Sequence, residues 1–242
     1  MSADPWAILG PAIDARPAPR PQHVTMAGRF ITLEPLDPAK HTDALFENSS
    51  GDAERDSVWN YLGVGPFSNL DDFAADIAAK AKSADPLFFA VIDNESKRAI
   101  GYQTLMRIDA PNRVIEVGNV MYTPALQRRP GATEAQYLFA RHVFEDLGYR
   151  RYEWKCNNLN LPSKRAARRL GFSYEGIFRQ HMIIKNRSRD TAWFSMLDSE
   201  WPARKSAFEG WLAPGNFAAD GRQKTRLSDL MPKPAMSEPG TE

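Results

Sequence analysis

The residues with the clearest chemical use lie in one run, Leu126-Gln127-Arg128-Arg129-Pro130-Gly131-Ala132-Thr133-Glu134-Ala135, where two arginines and a glycine lead into an amphipathic stretch. The first turn of a helix leaves backbone N–H groups without intrahelical acceptors and carries the positive end of the helix dipole. Such a terminus seats anions, and a pyrophosphate would use both features. Gly131 and Ala132 leave the backbone open to close approach, while Arg128 and Arg129 add charge. Pro130 gives up only an N–H that a helix start does not use internally. The competing reading is an ordinary strand-to-helix connection with two solvated arginines, since glycine-containing helix starts are common.

The elements around the run must decide between these readings. Upstream, Arg113 to Tyr122 has strand character and Thr123-Pro124 ends it. Downstream, Ala135, Leu138, Phe139, His142, Val143 and Leu147 follow helical spacing, with Gly148 placed as a C-terminal cap. A strand over Arg150 to Cys156, a helix over Asn160 to Leu170 stopped by Gly171, and a hairpin of Phe172–Phe178 with Thr191–Leu197 follow. This alternation over 113–172 implies a parallel or mixed sheet with the anion seat at its strand ends.

Towards the N-terminus, Arg29 to Leu36 alternates as a strand, and Asp37-Pro38 caps a helix to about Asn48. Trp59 to Leu62 reads as a helical turn, and Asn69 starts a helix to about Ser83. Leu87 to Ile92, apolar on both faces, pairs with Ala99 to Ile108 as a central hairpin. The domain plan is therefore a Pro/Ala-rich arm over 1–27, one domain over 28–201, and a helix with a loose tail over 202–242. Trp6, Ile8 and Leu9 offer the arm apolar docking groups.

With 242 residues, 43% hydrophobic and 25% charged, the chain can bury one substantial core. A formal charge of +1 gives no global field to attract nucleic acid or a membrane surface, so any anion binding is local and the partner small. Cys156 alone cannot form an internal disulfide. No run approaches about 18 consecutive apolar residues, and Met1 to Pro21 lacks the form of a signal peptide. The expectation is a cytoplasmic protein, monomeric or homodimeric.

In that order of elements the chain resembles the GCN5-related N-acetyltransferase (GNAT) superfamily, in particular the branch that includes ribosomal-protein N-terminal acetyltransferases. The resemblance spans Arg29 to Trp201. It is carried by Glu116-Val117-Gly118-Asn119-Val120-Met121-Tyr122, by Gln127 to Ala135, by Asn160-Leu161-Pro162-Ser163, and by Leu170-Gly171-Phe172 with Glu175-Gly176. It implies an α/β acyl-CoA N-acyltransferase fold, a mixed central sheet flanked by helices. In the family's phosphate motif, Gln127 and Ala132 match, while Pro130 stands where glycine is usual and Gly131 follows it.

The resemblance implies acetyl-CoA as co-substrate. Its pyrophosphate would lie on the backbone of Arg128, Arg129, Gly131, Ala132 and Thr133 beside Gln127, and its pantetheine along Val120, Met121 and Tyr122 and against Asn160. Asn160 also suits a helix N-cap. The acceptor would be a primary amine, whether a peptide N-terminus, an amino acid or a small molecule. Many relatives protonate the leaving thiolate with a tyrosine where this chain has Ala167, whereas Ser163 matches a serine that some members place near the sulfur. Glu116 is the candidate base, with a structural carboxylate paired to an arginine as the competing role, and Asn119 the candidate for orienting substrate.

Pro130 and Ala167 also admit a non-catalytic acyl-CoA-binding module. Transfer of a longer acyl group would need extra pocket volume. Lys164, Arg165, Arg168 and Arg169 form a basic helical face, either solvated or touching the CoA 3′-phosphate. Cys156 reads as a buried thiol rather than a nucleophile, and His142 and His181 lack metal-ligand spacing, so no metal is expected. Substrate-side walls are expected from Trp59–Phe67, Ile108–Arg113 and Arg179–Asp190.

Overall fold

The computed structural model describes residues 7–233. Its strands are β1 (Met26–Ala27), β2 (Ile31–Pro35), β3 (Leu87–Asp93), β4 (Ala99–Asp109), β5 (Val114–Tyr122), β6 (Arg151–Asn157), β7 (Ser173–Ile184) and β8 (Arg187–Leu197). Its α-helices are α1 (Pro38–Ser49), α2 (Ala53–Asp56), α3 (Leu70–Ala81), α4 (Pro130–Arg141), α5 (Leu161–Arg169), α6 (Trp201–Leu212) and α7 (Leu227–Leu230).

Local chemistry explains the boundaries. The side chains of Asp37, Asn69 and Asn160 accept backbone N–H bonds at the starts of α1, α3 and α5, and Pro38, Pro130 and Pro162 occupy first-turn positions. α4 runs on into a π turn, His142–Asp146, and Gly148 at φ 66° takes the chain out.

The strands form one sheet in the order β1-β2-β3-β4-β5-β6-β8-β7, antiparallel except for β5 beside β6. Period-2 alternation sends neighbouring side chains to opposite faces. Phe89, Val91, Leu105, Ile115, Val117, Tyr152 and Phe194 face a core shared with α4, α5 and α6. Phe88, Ala90, Ile92, Tyr102 and Met121 face a second core with Trp59, Phe73 and Ile77. That second cover ends at the β5 edge, and the far half of the same face, on β5, β6 and β8, carries charged side chains instead.

The arm crosses the β4–β5 turn: Ala18 N donates to Ala110 O at 3.0 Å, and Arg113 Nε donates to Arg16 O at 2.8 Å. Ile8 and Leu9 are 91% and 77% exposed and dock nowhere, while Trp6 lies outside the described residues. The loose tail expected within 202–242 instead folds back on the domain as far as Lys233. Leu227 is fully buried, Trp211 Nε1 donates to Gln223 Oε1 at 2.7 Å, and Phe217 packs against Phe30. Its few apolar residues are spaced for docking on α6 rather than for periodicity. Among the described residues no helix is long and apolar enough to cross a membrane.

Candidate active site

The site begins with an interrupted pairing. β5 and β6 are bonded from Val114↔Arg151 to Val117↔Trp154, yet β5 continues to Tyr122 and β6 to Asn157. At this point Asn119 takes φ 45°, and Asn119 and Val120 together oppose Gln103 on β4. This is a β-bulge, which bends its strand and leaves the backbone beyond it unpaired on the β6 side. Asn tolerates the left-handed region better than most residues. The Asn119 amide leans towards β4, 3.5 Å from Thr104 Oγ1 and 3.7 Å from Met106 Sδ, so the residue shapes the strand.

An extended ligand can add to the free edge of β5 as a further strand does. Val120, Met121 and Tyr122 lie there, but Met121's side chain belongs to the second core and only its backbone is available. The Tyr122 carbonyl already accepts from Gln127 Nε2 at 2.8 Å.

The anion loop follows directly. Arg128 takes φ 61°, Gln127 N donates to Thr123 O at 3.0 Å, Arg129 N to Leu126 O at 3.2 Å and Ala132 N to Arg129 O at 3.1 Å. The expected donors Arg129 and Ala132 are thus spent inside the turn. Among the described residues the Arg128 and Gly131 amides have no backbone acceptor. Gly131 is buried, and a Cβ there would stand 2.6 Å from Ile31 Cγ2, so the glycine is needed for packing α4 onto β2. Thr133 is also buried, its Oγ1 accepting from Arg169 Nη1 at 2.9 Å. That brings a cation from α5 to the start of α4.

Across the gap, Asn160 Oδ1 accepts from Ser163 N at 3.1 Å as the N-cap of α5, and its amide NH₂ has no hydrogen-bond partner among the described residues. Ser163 Oγ accepts from Trp154 Nε1 at 3.0 Å and reaches the Cys156 thiol, which burial pushes up from its ordinary value. Ala167 is fully buried. Arg165 of α5 is exposed, but two of its basic neighbours are not solvated: Lys164 is buried with its Nζ donating to Asn158 Oδ1 at 3.1 Å, and Arg169 lies 5.2 Å over the Trp211 ring. Their aliphatic stems pack while the charged ends find partners.

The charged face of the sheet lies on the other side of the gap. Glu116, 4% exposed, has Lys155 Nζ 2.9 Å and Arg107 Nε 3.2 Å from its Oε2, ion pairs of which neither is aligned as a hydrogen bond. Lys155 also pairs with Glu153 Oε2 at 2.6 Å and sits 3.7 Å over the Trp193 ring. Arg151 continues the ladder to Glu153 and Glu175. Burial raises the Glu116 carboxyl against the opposing pull of Lys155 and Arg107. A buried ion ladder costs several kcal/mol per ion in desolvation, and its stability alone is weak reason to have one.

Of the expected walls, two meet the site. Lys185 and Asn186, both at positive φ, form a two-residue hairpin turn, so Met182 to Arg189 is paired strand rather than a loop. Only Arg179-Gln180-His181 bulges out, lining an open cleft of about 640 Å³ with Phe178. Lys185 Nζ donates to Trp59 O at 2.9 Å, and Tyr61 Oη donates to Leu159 O at 3.2 Å, so the Trp59–Phe67 turn roofs the gap. The Ile108–Arg113 turn lies at the opposite end of β5, under the N-terminal arm, and is no wall of this site.

The sequence matches the family described as Acetyltransferase (GNAT) domain over residues 31–173. Among solved structures the chain is similar to a GCN5-related N-acetyltransferase from Brucella melitensis, at 52% identity and TM-score 0.87, covering 89% of this chain and 97% of that one. It is also similar to a probable acetyltransferase of the GNAT family from Chromobacterium violaceum ATCC 12472, at 40% identity and TM-score 0.74, covering 80% and 96%. An uncharacterized N-acetyltransferase, YnaD, of Bacillus subtilis (strain 168) is 25% identical over 162 residues, 67% of this chain and 91% of that protein.

Proposed function

We propose, from the premise that this chain belongs to the GNAT acetyltransferase family, that it moves the acetyl group of acetyl-CoA onto a primary amine in a ternary complex. The observation that supports this reading is the arrested β5–β6 pairing, with buried Glu116 on one face of the opening and Ser163 on the other. Holding two reactants at such an opening can lower a bimolecular barrier by roughly 7–11 kcal/mol, so few chemical groups are needed.

The residues fit the donor. The free edge of β5 at Val120 and the amide of Asn160 would take the pantetheine, and the Arg128 and Gly131 amides with the Arg128 and Arg129 side chains the pyrophosphate. Acetyl-CoA supplies the activated acetyl carbonyl. Glu116, whose carboxyl pKa burial raises, receives the amine's proton directly or through water. Ser163 Oγ accepts from Trp154 and hydrogen-bonds the buried Cys156 thiol, and its proton is assigned to the departing sulfur once the hydroxyl turns away from Cys156. The Asn119 side chain is assigned to the strand bulge rather than to the acceptor. Family members are acetyltransferases, so a non-catalytic binding role is not retained. We place the reaction in the cytoplasm.

Thiol release from acetyl-CoA across a panel of amines tests the reading. Turnover with at least one amine is expected. Tight acetyl-CoA binding with no amine turned over would count against it.

A further inference from the structure

We propose that the acceptor carries an anionic group, carboxylate or phosphate, beside its amine, and that Arg189 and His181 seat that anion at the cleft. The inference rests on the acetyl-transfer reading and names the class of amine.

Two side chains share one hydroxyl. Arg189 Nε donates to Thr191 Oγ1 at 3.2 Å, and His181 Nδ1 lies 3.0 Å from the same oxygen, with Thr191 fully buried. His181 packs edge-on against Phe178, and Phe178 lies on Trp193 with ring centroids 4.4 Å apart. The pair is therefore fixed from behind, beside the cleft that His181 lines.

The charges of this face point to the ligand's sign. Arg107 and Lys155 are paired to Glu116, Lys155 and Arg151 to Glu153, and Arg151 to Glu175. Among the described residues Arg189 has no carboxylate partner. The neighbouring acid Asp190 is used elsewhere, its Oδ1 accepting from Gln180 N at 2.7 Å. Arg179 adds a further cation on the cleft lining. Burial and the cations Arg107, Arg189 and Lys155 hold the His181 imidazole below its ordinary range, as positive potential at the site requires.

A polycationic acceptor would need acids in excess and would meet like charge here. A partly buried guanidinium whose only directed partner among the described residues is a neutral hydroxyl gains most from a bidentate carboxylate or phosphate.

The test compares amines that differ only in the anion: phenethylamine with phenylalanine, tyramine with tyrosine, ethanolamine with phosphoethanolamine. Thiol release is measured at saturating acetyl-CoA, and binding to the CoA-saturated protein is measured by calorimetry, so the seat is read even without turnover. The anionic member of at least one pair is expected to bind or react about ten-fold better. Arg189→Gln should collapse that preference through the KM or Kd of the amine, and Arg189→Lys should restore part of it. Equal or better performance by the neutral member of every pair overturns the seat and leaves acetyl transfer standing. A rise in the KM for acetyl-CoA in Arg189→Gln, with the amine preference intact, also overturns it by assigning the cation to the donor.

Discussion

Trp154 Nε1 points at Ser163 Oγ across 3.0 Å, so a sheet residue pins the hydroxyl of the first turn of α5. An indole donates only, which forces the hydroxyl to accept from it and to aim its own proton elsewhere.

Ser163→Ala is expected to lower kcat by about a hundred-fold, the scale of one general acid, and Trp154→Phe by a smaller factor in the same direction. Steady-state kinetics with acyl donors of graded thiol acidity checks this. The deficit should shrink as the leaving thiol becomes more acidic, and a deficit independent of the thiol would remove Ser163 from the role.

Glu116, as the proposed base, is expected to set the acidic limb of activity. A base must be ionised, so kcat/KM should rise with pH through the raised carboxyl pKa, and Glu116→Gln should abolish that limb with a loss of about a hundred-fold. The stability linkage has the opposite sign. The folded state holds this proton more tightly than the unfolded chain, whose carboxyl sits near 4.5. Its contribution is therefore complete below that value and is lost as pH rises through the raised folded pKa. Urea midpoints against pH should fall less over that window in Glu116→Gln than in the wild type.

Gly131 is a packing glycine. Gly131→Ala would place Cβ 2.6 Å from Ile31 Cγ2 and 3.4 Å from Leu126 Cδ1, and overpacking of this kind costs about 1–3 kcal/mol. Chemical denaturation should show the loss, while acetyl-CoA affinity of the folded protein stays close to wild type. Unchanged stability with weakened acetyl-CoA binding would show that the missing Cβ serves close approach of the phosphate rather than packing on Ile31.

Glu134 anchors the same helix. Its buried carboxylate accepts from Arg29 N at 2.7 Å, Phe30 N at 2.6 Å and Ile31 N at 2.9 Å. Glu134→Gln turns an amide NH₂ towards amide donors and should cost on the order of 3 kcal/mol, read as a lower Tm. Hydrogen exchange at those three amides should quicken; unchanged protection would show that other acceptors suffice.

Periodicity, caps and turn residues sit in the sequence as local rules, which is why most elements from β2 to α6, though not the four-residue α2, and the strand–loop–helix order at the end of β5 are legible there. Lys185-Asn186 was missed because a two-residue turn needs positive φ that neither residue advertises as Asn-Gly would. The extended hairpin followed from that turn. Which amides of the 126–135 run remain for a ligand was not legible either, since Arg129 and Ala132 lose theirs to carbonyls inside the turn and Gly131 answers to Ile31 on a strand about a hundred residues away. Trp154 and Lys155 carry no signal as site residues, while Arg169 and Arg189 are legible only as part of a basic helical face and of an expected wall. A lysine at an alternating strand position reads as solvated until its carboxylate partners on two strands and an indole on a third are seen to close over it. Sequence alone therefore determined the elements and the family's chemistry, because these depend on neighbours a few residues apart. The ion ladder, the Trp154–Ser163 bond and the cation left at Arg189 depend on which distant strands share a face, and only the tertiary structure decided that.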